Sequence, residues 1–166
     1  MTTFPWAPSE FLCWRLDARQ YQTTWDSGRG AELAGGRWNP KGFATVYAAV
    51  DPSTAVLEVA VHKGFDVLDR VPHLVSCAEI FDPSLIHVVD VADLPNRNWL
   101  RPGTPGRAQQ QFGVELLKTH PFVAIPSAVL PLSWNLIFNP DVAAGAYRLD
   151  RQIDFALDTR LNPPAP

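Results

Sequence analysis

The hydrophobic positions divide this chain into short strands, two helices and two long polar stretches. Residues 11–17 alternate, with Phe11, Cys13 and Arg15 on one face and Leu12, Trp14 and Leu16 on the other, which predicts a strand. Residues 43–50 (FATVYAAV) predict a strand that is apolar on both sides. Directly after it Asp51 can cap a helix, Pro52 suits the first helical position and Gly64 can end it. Further strands are predicted at 74–80 and 86–91, with strand pieces in 122–130 and 136–138. A second helix is predicted over 107–119, weakened by Gly113. In a last strand over 147–158, Tyr147, Leu149, Ile153, Phe155 and Leu157 share a face that Arg151 interrupts. Arg148, Asp150, Gln152, Asp154 and Asp158 fall opposite, which predicts a half-exposed strand. Residues 19–41 and 95–106 lack helical period and are expected as surface loops, the second carrying Arg97, Trp99 and Arg101. The Pro-rich first ten residues and the last six are expected to be loose. Six or seven strands that do not alternate regularly with two main helices predict a single mixed α+β domain over residues 11–160.

Composition narrows the classes of function. Fourteen Lys and Arg against seventeen Asp and Glu leave a net charge of −3, a poor basis for general binding of DNA, RNA or an anionic membrane. Eleven of the fourteen cations are arginine, the side chain suited to bidentate grip on phosphate or carboxylate. Cys13 and Cys77 both lie in apolar stretches and read as buried thiols of a reducing compartment. His62, His73, His87 and His120 have no metal-ligand spacing, so no metal is expected. No run reaches transmembrane length and no secretory pattern opens the chain, so the cytoplasm is the expected location.

Four residues stand out, each with two readings. Glu58 is surrounded on its helix by Val56, Leu57, Val59, Ala60 and Val61; it is either a structural carboxylate in a salt bridge or part of a site. Arg37 follows Gly35 and Gly36, and is either a solvent arginine on a Gly-rich turn or a phosphate grip. The neighbouring Trp38 is either a stacking surface or a plug. Tyr47 is either a core tyrosine bonded to backbone or a ring stacked on a planar ligand. Ser127, after Pro126 in an apolar strand, either satisfies local backbone or serves the site. Asn135 and Asn139 can each bind backbone in a turn. No GxSxG elbow and no His–Asp relay supports a serine hydrolase.

The segment RGAELAGGRWNPKGFATVYAAVDPSTAVLEVAVHKG, followed downstream by PSAVLPLSWNLIFNP, closely resembles the RES domain family, the toxins of bacterial RES–Xre toxin–antitoxin modules. The resemblance runs from Trp14 to about Asp141, in the family's order. Trp14 stands where the family often has Tyr or Phe, and an aromatic ring is kept. The resemblance implies a fold like that of ADP-ribosyltransferases and consumption of NAD as substrate, with no further cofactor. It maps the family's arginine onto Arg37, its tyrosine onto Tyr47, its glutamate onto Glu58, its serine onto Ser127 and a first-strand arginine onto Arg15. On that reading Glu58 favours the cationic ribose, Arg37 and Arg15 bind the pyrophosphate, Tyr47 meets the nicotinamide riboside and Ser127 the ribose or carboxamide. Trp38, Asn39 and Asn135 complete the NAD-binding set. The acceptor is water, phosphate or a protein side chain. The expected partner is an Xre-type antitoxin inserting a C-terminal segment into the site, with direct binding of nucleic acid and membrane not expected and homodimerisation left open. The competing class is a binding module without turnover, in which Arg37 and Glu58 form a structural ion pair.

Overall fold

The computed structural model describes residues 11–164; the Pro-rich first ten residues lie outside the described residues, as do the last two. Strand β1 (Phe11–Ala18) is followed by a 3-10 segment (Arg19–Thr24) and helix α1 (Arg29–Ala34). Then come β2 (Val46–Ala49), α2 (Pro52–Lys63), α3 (Phe65–Arg70), β3 (His73–Ile80) and β4 (Ile86–Val88). Helix α4 (Arg107–Thr119), β5 (Phe122–Pro126), β6 (Trp134–Phe138) and β7 (Tyr147–Phe155) complete the domain. Among the described residues the strands form one sheet in the order β4-β5-β6-β2-β1-β3-β7. β4 and β5 run parallel and every other pair antiparallel, so the mixed α+β expectation holds.

Helices α2 and α4 have the bounds the sequence predicts. Asp51 caps α2, its Oδ1 accepting from Thr54 N at 2.9 Å, and Gly64 ends the helix at φ +81°. Elsewhere the expectations need correction. The expected loop over 19–41 contains the 3-10 segment and α1, too short to show a period. α3 was not expected, because its six residues give less than two turns of pattern. The strand expected from 86 to 91 stops at Val88, and that expected over 122–130 stops at Pro126. β7 does not bury the predicted apolar face. Cys77 pairs with Arg151 and Ala78 with Leu149, so Asp150 is an extra residue that shifts the alternation. The shift puts Leu149 and Ile153 on opposite faces of this edge strand, and both are exposed.

Both principal helices lie on one face of the sheet. Val56, Val59 and Ala60 of α2 pack with Trp14, Leu16 and Val75 of β1 and β3. Leu116 and Leu117 of α4 pack with Val123, Ile125 and Ile137 of β5 and β6. The opposite face, led by Cys13, Val46, Phe122, Leu136 and Phe138, is covered by loop residues including Trp25 and Ala143. Cys13 and Cys77 are buried free thiols, and burial pushes Cys13 up to about 12. Between β1 and β2 the pairing is the Trp14↔Ala49 bridge, whereas β1 pairs with β3 from Phe11↔Ile80 to Ala18↔His73. The β1–β2 ladder therefore parts beyond that bridge, which leaves an opening in the pairing beside β2.

Residues 36–39 line that opening, held by two close approaches. Tyr47 Oη accepts from Trp38 N at 2.9 Å and donates to Asn39 Oδ1 at 2.7 Å. Gly36 has room for nothing more: a Cβ there would lie 2.5 Å from Tyr47 Oη. From the other side α4 presses its Gly113 against the Trp38 backbone, where an added Cβ would overlap the carbonyl oxygen and sit 2.7 Å from Trp38 Cβ. The glycine that weakens the helix in isolation is what lets helix and loop touch.

Two substitutions test this. Gly113→Ala improves helix propensity by about 1 kcal/mol, yet the overlap dominates, with an expected net loss of about 1–3 kcal/mol read as a lower urea midpoint. Tyr47→Phe strips partners from Trp38 N–H and Asn39 Oδ1, with an expected loss of about 1–3 kcal/mol in the same assay.

Candidate functional site

Glu58 sits midway along α2, on the side facing β6 and the end of β5, and is half-buried. Its Oε1 accepts from Ser127 Oγ at 2.7 Å and from Asn135 Nδ2 at 2.7 Å. Oε2 has no hydrogen-bond partner among the described residues, and Glu58 forms no ion pair among them. The salt-bridge reading of Glu58 is thereby corrected: two neutral donors hold it. One comes from the turn after β5, the other from β6.

Ser127 is buried at 1% exposure and its hydroxyl is fully engaged. While donating to Glu58 it accepts from Val129 N (3.1 Å) and Leu130 N (3.0 Å), so it closes a local turn and fixes the carboxylate together. In this arrangement the Ser127 hydroxyl orients the Glu58 carboxylate. A second hydroxyl network lies alongside: Thr54 Oγ1 and Ser133 Oγ donate to Asp51 Oδ2, and Ser127 N donates to Ser133 O. These bonds hold Asp51 below its ordinary carboxylate range and tie the start of α2 to the 127–133 turn.

Asn135 shares a sheet face with Tyr47. Ala49 faces Asn135 and Tyr47 faces Ile137, which makes Tyr47 and Asn135 diagonal neighbours across β2 and β6. Asn135 Oδ1 is buried without a partner. The Tyr47 hydroxyl, engaged in the clamp described above, is pushed up by burial, with the nearby Arg37 charge opposing. The reading in which Tyr47 bonds backbone is therefore the one realised for its hydroxyl, and only the half-buried ring is left to face a ligand.

The two arginines differ. Arg15 lies one residue past the Trp14↔Ala49 bridge, where β1 and β2 part. Its Nη1 donates to Tyr47 O at 2.6 Å, while Nε and Nη2 pair with Asp17 at 2.5 and 3.0 Å. Asp17 is buried, and burial lifts its carboxyl above the ordinary range against the pull of Arg15. Arg15 is thus neutralised by a carboxylate that the sequence reading missed. The signal was there: residues i and i+2 of a strand share a face. Arg37 has no acidic partner among the described residues. Its Nη1 donates to Trp99 O (3.0 Å) and Arg101 O (3.1 Å), which joins the 36–41 loop to the 95–106 loop.

Trp38 and Asn39 require correction. Trp38 is 1% exposed, packed edge-on with Trp99 and tilted against Phe112, so the plug reading is realised. Asn39 is fully buried and its amide donates to Ala31 O, Pro40 O and Phe43 O. Both shape the loop from beneath and present nothing to a ligand. Asn139, as expected of a turn residue, bonds Ala44 O and the amides of Asp141 and Val142. Gln109 and Gln110 were also missed: their amides donate to Trp99 O and Gly36 O, fastening both loops to the first turn of α4. A recess lined by Asp66, Asp69, Arg70, Thr159 and Asn162 shares no residue with this site.

The arrangement offers one carboxylate oxygen fixed in place and one open, an aromatic ring and an unpaired amide oxygen on the adjoining strands, and one guanidinium with no acidic partner on the clamped loop. A carboxylate held by neutral donors keeps its negative charge uncompensated, which suits stabilisation of a developing cation.

Comparison with known proteins places this geometry. The RES domain model matches residues 12–158. A protein of Photorhabdus laumondii called Toxin Res is 33% identical over 154 residues, covering 90% of this chain and 96% of the relative. A Sphingobium protein called Prs ADP-ribosylating toxin is 35% identical over 133 residues, covering 76% and 81%. The fold is shared with a chain of the Mycobacterium tuberculosis MbcT–MbcA toxin–antitoxin complex, at a TM-score of 0.68 and 19% identity over 89% of this chain and 85% of that one. Matched from β1 to the end of the last strand, this chain belongs to the RES domain family of toxins.

Proposed function

We propose that this toxin acts in the cytoplasm by cleaving the nicotinamide–ribose bond of NAD, with water or phosphate as acceptor, and that an Xre-type antitoxin inserting a C-terminal segment neutralises it. The observation that carries the reading is Glu58: half-buried, oriented through Oε1 by Ser127 and Asn135, unpaired by any cation, and open at Oε2. Nicotinamide leaves as a neutral base from a cationic ring, so departure needs no strong acid. As the bond lengthens, positive charge gathers on the ribose. A carboxylate about 4 Å away in an environment of effective dielectric about 20 attracts that charge by about 4 kcal/mol, close to a thousandfold in rate. Its attraction is weaker before the bond breaks, so the effect falls on the transition state. Oε2 accepts from a ribose hydroxyl and sets the ring in place.

Arg37 takes the leading part in binding the pyrophosphate, because no carboxylate competes for it; Arg15, shared with Asp17, lends support at the base of the opening. The Tyr47 ring borders the nicotinamide riboside, and Asn135 Oδ1 accepts from the carboxamide or a hydroxyl, which accounts for its lack of a protein partner. NAD is consumed as substrate, and no residue assigned here requires another cofactor. The binding-module alternative, with Arg37 and Glu58 as an ion pair, finds no support: each is held by a different set of neutral groups. Transfer of ADP-ribose to a protein stays as the second reading, favoured by the name of the Sphingobium relative.

The test is nicotinamide release from NAD by the purified chain alone. Glu58→Gln keeps an oxygen to accept from Ser127 and Asn135, so the fold is expected to hold while kcat drops about 100-fold or more. Undiminished turnover in that variant overturns the assignment. Free ADP-ribose, ADP-ribose-1-phosphate or a labelled protein distinguishes water, phosphate and protein as acceptor.

A further inference from the structure

The arginines fall into two groups. Seven pair with acids: Arg15, Arg19, Arg29, Arg70, Arg148, Arg151 and Arg160. Arg37, Arg97, Arg101 and Arg107 have no ion pair among the described residues. These four come from two stretches that contain no acid. Residues 33–50 carry Arg37 and Lys41, and residues 94–114 carry Arg97, Arg101 and Arg107. The fold brings the two stretches together. Arg37 donates to Trp99 O and Arg101 O, Gln109 donates to Trp99 O, Gln110 donates to Gly36 O, and Gly113 lies against Trp38. The stretches that carry these five positive charges are therefore adjacent, in a chain whose net charge is −3, and the rest of the molecule is correspondingly acidic. Lys41, Arg97, Arg101 and Arg107 are exposed. Of these five cations, only Arg37 is assigned to the substrate in the reading above.

We propose that Arg97, Arg101 and Arg107, with Lys41, form a docking surface for an acidic segment of a protein partner, at the rim of the Glu58 site. The inference rests on the reading of this chain as a toxin held by a protein partner, and it adds a surface outside the substrate contacts. Three observations select the occupant. A nucleic acid carries negative charge along its whole length and extends past the patch onto the acidic remainder of the chain, whereas a short peptide segment confines its carboxylates to the patch. The aromatic residues of the region, Trp38, Trp99 and Phe112, are packed on one another and none is fully exposed, which leaves little ring face on which unpaired bases could stack. The cations are also spread over an exposed loop and the first turn of α4, an arrangement that suits successive carboxylates on a peptide better than one small anion. A segment lying there crosses the mouth that Arg37 borders, so docking and substrate entry exclude each other.

The experiment uses the full chain and a fluorescently labelled polyglutamate peptide, followed by anisotropy. Binding is expected at low salt, weakening about tenfold or more between roughly 0.05 and 0.5 M salt. The R97E/R101E/R107E variant is expected to weaken it by about tenfold or more, while nicotinamide release without peptide stays at the parent level and reports an intact fold. The control R70E/R148E/R160E makes the same change in net charge at paired arginines, and is expected to bind as the parent does. Glu58→Gln is expected to keep the peptide, so failure of the catalytic reading and failure of this one are read separately. Equal loss in the rim and control variants overturns the proposal. So does tighter binding of a single-stranded oligonucleotide than of the peptide, or displacement of the peptide by an equal concentration of inorganic pyrophosphate.

Discussion

The site depends on the two hydrogen bonds that converge on Glu58 Oε1. They cross the sheet from α2 to the end of β5 and to β6, linking residues 69 and 77 positions apart in the chain. A lone carboxylate on an apolar helix costs free energy unless its lone pairs are satisfied. Neutral donors meet that need without cancelling the charge. Asp17 shows the other solution in the same molecule. It is more deeply buried than Glu58, but it is paired with the guanidinium of Arg15, so its field is spent locally. The two carboxylates differ in what surrounds them: the charge of Asp17 is met by a guanidinium, that of Glu58 by neutral donors.

The opening beside β2 is kept by backbone proximity as much as by side chains. β1 and β2 meet at one bridge, so the sheet does not close there. The gap is bordered by residues 36–39, whose path is set by Tyr47 Oη, by the buried amide of Asn39 and by the contact of Gly113 with Trp38. Residues of the RWN segment are thus divided in their work. Arg37 remains at the surface of the loop, while Trp38 and Asn39 are turned inward as its foundation.

Elements whose signals are local could be read from the sequence. α2 is bounded by Asp51, Pro52 and Gly64, and all three act as their chemistry predicts. Elements decided by distant contacts could not. In β7 one extra residue at Asp150 puts Leu149 and Ile153 on opposite faces of an edge strand, and no alternation pattern announces a bulge that the partner strand imposes. The residue types of the site were legible, because a glutamate among valines and an arginine after two glycines are unusual on their own. Their partners were legible only in part. Asp17 lies two positions from Arg15 on the same strand and could have been paired with it by inspection. Ser127 and Asn135 could be connected to Glu58 only once the strands were ordered, since nothing within the helix points to them.

Arg37 completes the parallel with Glu58. Its guanidinium is held by carbonyl oxygens of Trp99 and Arg101, again neutral groups that orient a charge and leave it uncompensated. A charged group fixed in this way needs little rearrangement when a ligand of opposite sign arrives, and each interaction is stronger for the partial exclusion of water. The same bonds make the 95–106 loop part of the site without any of its side chains entering it, because its backbone supplies the acceptors. The loop's own arginines are then free to face outward, and the charge that the interior does not use is carried to the rim.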